Sequence, residues 1–433
     1  MNEKKKIVVG IIIFGVLIIF AVIFSFLGGD NALVPANLTV WGTMPAKQIA
    51  PAIGEYEQLL QGAHIDYVEQ REENFVSTVL NALAAGTGPD LWIMNPDDLR
   101  IHTDKMLPIP PTLFTANEFR STFIDAATTM YMLPDGSGNT RIFALPLWSD
   151  PLVLYWNRSL FNTAGIALPP TTWDSFLDFS QQLTTRDING NIVIAGSALG
   201  RANNISRFRE ILGVLFLQQG VDIKNPDGST TFGAKERRGD ALLNPTESVV
   251  RFYTDFANPG RGAYTWNPAL PDPEQLFAEG RLGMMFEYSS KINKIIEKDP
   301  HLAFDIARSP QISESAVPVT VSSLPGITVN KFTRSPIAAW QFALWLTAPE
   351  QAKTLLGDMT VAPATRARLS SNSERPYWPI LQQSTLQASW LNDPLPNKTT
   401  PILSEMIENI ANGAAIVETA VRDTGIIIQQ LVR

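Results

Sequence analysis

The chain has no cysteine and only 3 histidines in 433 residues. Without cysteine there is no disulfide and no thiolate nucleophile, and a lipoprotein is excluded because its lipid is attached to a cysteine. Charged residues make up only 18% of the chain, and the formal net charge of −8 argues against nucleic acid as a partner. Stability must therefore come from buried apolar cores, and the chain is long enough to build two or more of them.

One long apolar run stands near the start of the chain. Residues 7–27 carry no charge and follow three lysines at residues 4–6. At a rise of ~1.5 Å per residue, the run is long enough to cross a hydrocarbon core of ~30 Å. The lysines predict a cytoplasmic N-terminus, with everything after Gly28 outside the cell.

A cleaved secretory signal is the alternative interpretation of this run. A signal peptide has an apolar region of only ~7–15 residues followed by small residues at the cleavage site. Residues 25–32 (SFLGGDNA) offer a poor site of that kind. The sequence therefore favours residues 1–30 as cytoplasmic lysines and a retained transmembrane anchor, with residues 31–37 as a linker.

Strand and helix patterns alternate after the linker. Apolar residues at helical spacing predict helices over residues 49–60 and 75–83, and these helices separate short strands at residues 38–41, 65–68 and 90–94. The alternation is typical of βαβ units and predicts an α/β fold with a mostly parallel sheet. Ligands of such sheets bind beyond the carboxyl ends of the strands.

This geometry selects side chains that follow the first and third strands. Trp41 and Thr43 come at the end of the first, and Asp97 follows the third. Each has an alternative role: Trp41 could fill the core, and Asp97 could cap the helix that begins near Asp98.

Catalytic and metal-binding patterns are weak. The three histidines are far apart, and neither a glycine-rich phosphate loop nor a G-x-S-x-G elbow is present. Asp97 and Asp98 are adjacent, so their side chains diverge and make a poor acid–base pair. Residues 187–191 (DINGN) loosely resemble the start of a calcium loop, but without an acidic bidentate ligand they predict a hairpin turn. We expect no enzyme activity, metal or cofactor.

Several segments, in the right order, resemble the extracellular solute-binding proteins of ABC transporters, specifically family 1, the sugar-binding type. The resemblance covers most of residues 38–365, and each segment is degenerate by itself. The segments are LNALAAGTGPD at 80–90, ALPLWSDPLVLYWNRSLF at 144–161, AGIALPPTTW at 164–173, FAEGRLGMM at 277–285 and AAWQF at 338–342.

The resemblance implies a periplasmic-binding-protein-like fold of two α/β lobes that clamp a ligand in an interlobe cleft by hinge closure. The implied chain crossings lie near residues 148–151, 309–312 and 360–363. Lobe I would comprise residues 38–148 with 312–360, and lobe II residues 149–311 with 361–433.

The resemblance also implies ligand contacts. Asp150 lies in the first implied crossing, where a carboxylate can accept hydroxyl hydrogen bonds from a sugar. Glu287 and Tyr288 follow a predicted strand and would point into the cleft. Ser289 and Ser290 stand where some maltodextrin-binding relatives carry a stacking tryptophan, which weakens a maltodextrin assignment.

Two tryptophans complete the predicted ligand contacts. Trp148 immediately precedes the first crossing and is expected to face the cleft. Trp266 lies in a polar, proline-rich loop, where a large aromatic ring is either exposed for a ligand or buried as a loop anchor.

The sequence thus predicts a membrane-tethered, monomeric binding protein on the outside of the cell. It would deliver a small ligand, a mono- or oligosaccharide above all, to an ABC permease. Two alternatives stay open: an extracellular glycoside hydrolase, which needs a pair of cleft carboxylates, and a ligand sensor without a transport role on the same fold.

Overall fold

The structure is a computed structural model that describes residues 33–225, 228–239, 241–314 and 316–432. The predicted anchor at residues 7–27 lies outside the described residues. Within them, no helix combines the length and the apolar character needed to cross a membrane.

Strands and helices are numbered in chain order. The strands are β1 (Asn37–Gly42), β2 (His64–Glu69), β3 (Leu91–Met94), β4 (Met132–Pro134), β5 (Thr140–Ile142), β6 (Leu145–Pro146), β7 (Trp148–Asn157), β8 (Thr185–Arg186), β9 (Ile192–Ser197), β10 (Glu236–Arg238), β11 (Ala241–Leu243), β12 (Leu282–Tyr288), β13 (Phe304–Ala307), β14 (Thr320–Ser323), β15 (Gly326–Val329), β16 (Ala362–Pro363) and β17 (Ala388–Ser389). The helices are α1 (Ala46–Leu59), α2 (Phe75–Ala84), α3 (Pro96–Ile101), α4 (Ala116–Thr122), α5 (Asp125–Tyr131), α6 (Arg158–Thr163), α7 (Trp173–Leu183), α8 (Phe208–Gln219), α9 (Pro245–Asp255), α10 (Pro273–Ala278), α11 (Ile292–Lys298), α12 (Pro336–Leu346), α13 (Ala352–Leu356), α14 (Arg366–Leu369), α15 (Trp378–Leu386), α16 (Pro396–Ala411) and α17 (Val417–Val432).

The described chain forms two compact units. Unit 1 takes the described residues up to Trp148, then Pro325–Gly357 and Pro363–Ser370. Unit 2 takes Ser149–Leu324, Asp358–Ala362 and the described residues from Ser371 onward. The predicted lobes are defined as bodies that move about hinges. A division into compact units does not define such bodies, so the lobe boundaries stay a prediction.

Unit 1 is built on a sheet with the strand order β2-β1-β3-β15-β6. β1 pairs in parallel with both β2 and β3, which confirms the βαβ units predicted from periodicity. β15 comes from a distant part of the chain and pairs antiparallel with β3 and β6. All of β3 is buried, as expected for a strand inside a covered parallel sheet.

Unit 2 has a mixed sheet with the path β17-β14-β7-β12-β9-β8. β7 is buried along its whole length and pairs antiparallel with β12, β13 and β14. The prediction of a mostly parallel sheet, made from residues 38–94, holds for the pairings of β1 and does not describe β15 or this unit. It was drawn from βαβ periodicity in the first part of the chain, and periodicity does not report which distant segments will flank a strand.

Local turn and cap signals in unit 2 are confirmed. The Thr172 side chain accepts a hydrogen bond from the Ser175 amide and caps α7, as is typical of a threonine that precedes an apolar helical run. The DINGN segment is a hairpin turn between β8 and β9, in which Asp187 Oδ1 accepts the amides of Asn189 and Asn191. Such Asx hydrogen bonds satisfy the turn backbone without a metal ion.

Candidate functional site

Three predicted contact residues of unit 1 lie at one edge of its sheet. β1 and β3 are adjacent and parallel, with Trp41 in register with Trp92, so their carboxyl ends point the same way. Trp41 is half-buried, Thr43 is exposed just beyond β1, and Asp97 is half-buried in the first turn of α3. The chain therefore brings all three side chains to the edge where α/β sheets bind ligands. Trp148 is the last residue of the first segment of unit 1 and is buried, with 8% of its surface exposed.

The predicted carboxylate Asp150 is buried in unit 2 beside the segment that follows β12. Its Oδ1 accepts hydrogen bonds from Ser289 Oγ and from the Ser290 amide, both at 2.9 Å. Burial raises the pKa of Asp150 above its usual range, while the hydrogen bonds from Ser290 and Ser289 act in the opposite direction. The two serines thus hold the Asp150 carboxylate in a fixed position.

Glu287 and Tyr288 belong to a cluster around Arg207. Arg207 Nε lies 2.8 Å from Glu287 Oε1, and its Nη1 lies 3.1 Å from Glu210 Oε1. The Arg207 guanidinium also lies 4.9 Å from the centre of the Tyr288 ring, within range of a cation–π interaction. The Tyr288 hydroxyl donates to Glu210 at 3.4 Å. The side chain of Glu287 is only 2% exposed, so the cluster closes around a buried carboxylate.

Burial raises the pKa of Glu287 from an ordinary value of 4.5 to about 7, and the charge of Arg207 opposes this effect. Folding therefore favours the protonated form, because the unfolded chain loses this proton first as the pH rises. As the pH rises from 4.5 to about 7, the free energy of unfolding should therefore fall. Glu287→Gln should abolish this contribution to the pH dependence. Urea unfolding of the wild type and of Glu287→Gln across this pH range measures the difference in the free energy of unfolding.

Glu279→Gln is the matched control for this pH dependence. Glu279 is exposed, and a hydrogen bond from Gln275 is the largest cause that lowers its pKa. This substitution should leave the fall in stability intact. Parallel pH curves for the wild type and Glu287→Gln would contradict the raised pKa.

Trp266 has a different environment from the one favoured by the sequence. Its ring is fully buried, and its indole N–H donates to Asn204 Oδ1 at 3.1 Å. Asn204 Nδ2 in turn donates to the carbonyls of Asn267 and Leu270. This is the loop-anchor arrangement that the sequence left open, because the proline-rich loop folds over its own aromatic ring.

Sequence reasoning missed Arg207 and Glu210. Both stand at the start of α8, and nothing in the sequence pairs them with Glu287. Among the described residues, no group of three or more His, Asp or Glu side chains is placed to hold a metal ion.

Solved structures of known proteins share this fold. A cyclic α-maltosyl-1,6-maltose binding protein from Arthrobacter globiformis has a TM-score of 0.75 and 17% identity, with 92% of this chain and 99% of that chain covered. An ABC substrate-binding protein from Listeria monocytogenes, in complex with cycloalternan, has a TM-score of 0.69 and 18% identity over 92% and 99%. A maltose/maltodextrin-binding domain from Bdellovibrio bacteriovorus, bound to maltotriose, has a TM-score of 0.68 and 17% identity over 92% and 100%. At these identities the likeness shows the fold.

Sequence comparison adds the family. A curated Brucella abortus relative named as a binding protein is 25% identical over 229 residues, which are 53% of this chain and 51% of the relative. The chain thus spans about half the length of the curated relatives it matches. The family model described as bacterial extracellular solute-binding protein matches residues 52–378. This match confirms the predicted resemblance and the expectation of a binding protein in preference to an enzyme: the chain belongs to the bacterial extracellular solute-binding proteins.

Proposed function

We propose that the protein captures a carbohydrate outside the cell and delivers it to an ABC importer. The observation that carries the proposal is the fold likeness over 92% of the chain to binding proteins whose names or complexes specify cycloalternan, cyclic maltosyl-maltose and maltotriose. A buried carboxylate fixed by two serines suits this role, since it can accept hydrogen bonds from sugar hydroxyls. We further propose that the protein acts as a monomer.

The proposed ligand contacts are stated for each unit separately. In unit 2 they are Asp150, which Ser289 and Ser290 hold by hydrogen bonds, Glu287 and Tyr288. In unit 1 they are the side chains at the carboxyl ends of β1 and β3, together with the last residue of the unit's first segment: Trp41, Thr43, Asp97 and Trp148. Trp266 is left out because its ring is buried and its N–H is already bonded.

Thermal unfolding of the purified full chain against mono- and oligosaccharides tests the carbohydrate proposal. A ligand at ~100-fold over its Kd should add about 2.7 kcal/mol of apparent stability. Asp150→Asn should weaken binding of any hit by about tenfold or more, because one charged hydrogen-bond acceptor is lost. Asp174→Asn, at an exposed position of α7, should bind like the wild type. A panel without any shift would contradict the proposal, and a consumed sugar would favour a hydrolase.

We also propose that residues 7–27 hold the protein in the membrane with the lysines at residues 4–6 in the cytoplasm. The uncharged length of this run supports the proposal. The full chain should stay with membranes washed at alkaline pH, and a chain without residues 7–27 should stay in the supernatant. A mature N-terminus within residues 25–32 would instead reveal a cleaved signal.

A further inference from the structure

The chain enters unit 1 at the edge formed by the amino ends of β1 and β3. The loop after β15 lies at this same edge. Asp90, just before β3, accepts the Thr39 amide of β1 at 3.0 Å and the hydroxyl of Thr333 in that loop. Val34, near the first described residue, donates its amide to Gln341 Oε1 of α12 at 2.9 Å. These bonds connect β1 to the loop and the entering chain to the middle of α12.

Three apolar side chains near this edge are exposed. Phe332 of the loop after β15 is 73% exposed, Val34 is 44% exposed and Ile337 in the first turn of α12 is 40% exposed. We call these three residues the entry patch. A single exposed apolar side chain is common on protein surfaces, whereas several at one edge of a unit mark a candidate contact surface.

Cations flank the entry patch. Lys331 and Arg334 are exposed on either side of Phe332 and Thr333. The Asp90 carboxylate accepts a hydrogen bond from Thr333, which stands between these two cations. Lys105 and Asp104, 2.7 Å apart, offset each other's charge. The loop therefore presents an aromatic ring between two positive charges, a combination suited to the interface of a bilayer with anionic headgroups.

The length of the chain before Val34 places this edge near the membrane. The apolar run ends at residue 27, and a fully extended chain spans at most ~3.3–3.6 Å per residue. The reach from there to Val34 is therefore about 25 Å. If the apolar run is embedded in the membrane, the edge that carries the entry patch lies within about 25 Å of the end of that run.

We propose that the entry patch, with Lys331 and Arg334, binds the anionic lipid surface of the membrane that holds the anchor. This inference rests on the proposed anchor. Contact with lipid would hold unit 1 by the edge formed by the amino ends of β1 and β3. The carboxyl ends of these strands, at the opposite edge of the sheet, would then face away from the lipid. The patch thereby adds a second attachment to the anchor and sets the orientation of unit 1.

Because the chain has no cysteine, a single introduced cysteine carries the only fluorescent label, and labelling is site-specific. We would label Ile337→Cys in the full chain, reconstituted in nanodiscs of phosphatidylcholine and phosphatidylglycerol with a headgroup nitroxide lipid. The matched control is Glu73→Cys, exposed in the turn that follows the carboxyl end of β2. The nitroxide should quench the label at position 337 and leave the label at position 73 bright.

Two further measurements test the roles of the patch residues and of the lipid charge. Phe332→Ser combined with Lys331→Gln and Arg334→Gln should remove the quenching at position 337 without changing the melting temperature, since all three side chains are exposed. Nanodiscs of phosphatidylcholine alone should give weaker quenching than the anionic discs. Equal quenching in both lipids, or at both label positions, would overturn the inference.

The outcomes separate this inference from the anchor. If the chain stays in the nanodisc while position 337 remains unquenched, the lipid contact is overturned and the anchor is not. The patch would then serve a protein partner. A chain that leaves the nanodisc overturns the anchor and the lipid contact together.

Discussion

Replacing Arg201 by methionine is expected to lower the free energy of unfolding by about 3–5 kcal/mol. Arg201 and Glu408 are both buried, and Arg201 Nη2 lies 2.6 Å from Glu408 Oε2. The other oxygen of Glu408 accepts the amides of Ala202 and Asn203. The pair thus fixes the segment after β9 to α16, and the variant leaves a buried carboxylate without its counter-ion.

Urea denaturation measures this loss, and two variants serve as controls. Arg422→Met removes an ion pair with Asp423 in which both side chains are more than half exposed, and should cost at most about 1 kcal/mol. Arg201→Met combined with Glu408→Gln should recover part of the loss, because the stranded charge is gone. A cost for Arg201→Met no larger than that for Arg422→Met would contradict the buried ion pair.

Gly196→Ala is expected to destabilise the protein by about 3 kcal/mol or more, at the upper end for an overpacked core. A Cβ on Gly196 in β9 would lie 1.9 Å from the carbonyl oxygen of Ser180 in α7 and 2.7 Å from the carbonyl carbon. Both atoms belong to the helix backbone, so a side-chain rotation cannot relieve the clash. α7 would have to move away from the sheet.

Gly213→Ala is the control for this substitution. Gly213 lies inside α8, where a Cβ would meet Val321 Cγ1 at an ordinary 3.7 Å. Alanine there should raise stability by about 0.5–1 kcal/mol, because it restricts the unfolded chain more than glycine does. Comparable thermal melting of Gly196→Ala and the wild type would show that β9 and α7 are farther apart than described.

The parts of the fold that the sequence predicted are local. The alternation from β1 to β3 follows from apolar spacing, and the cap at Thr172 and the turn at Asp187 follow from side chains that bond to backbone a few residues away. Each of these signals lies within one short window of sequence. They identify α/β units, but they do not say which distant strands complete the sheets.

The parts that escaped prediction depend on distant partners. β15 enters the sheet of unit 1 from far along the chain, and Arg207 reaches Glu287 on another element. Trp266 was ambiguous for the same reason: only the fold shows that Asn204 receives its N–H. Polar residues in an apolar stretch indicate that a partner exists without identifying it.

Calorimetric titration of the full chain with a saccharide that shifts its melting temperature is a direct test of the proposed carbohydrate binding. We expect one saccharide bound per chain, weaker binding by Asp150→Asn, and recovery of the sugar chemically unchanged. Absence of heat with every saccharide tried, or recovery of hydrolysed sugar, would contradict the proposal.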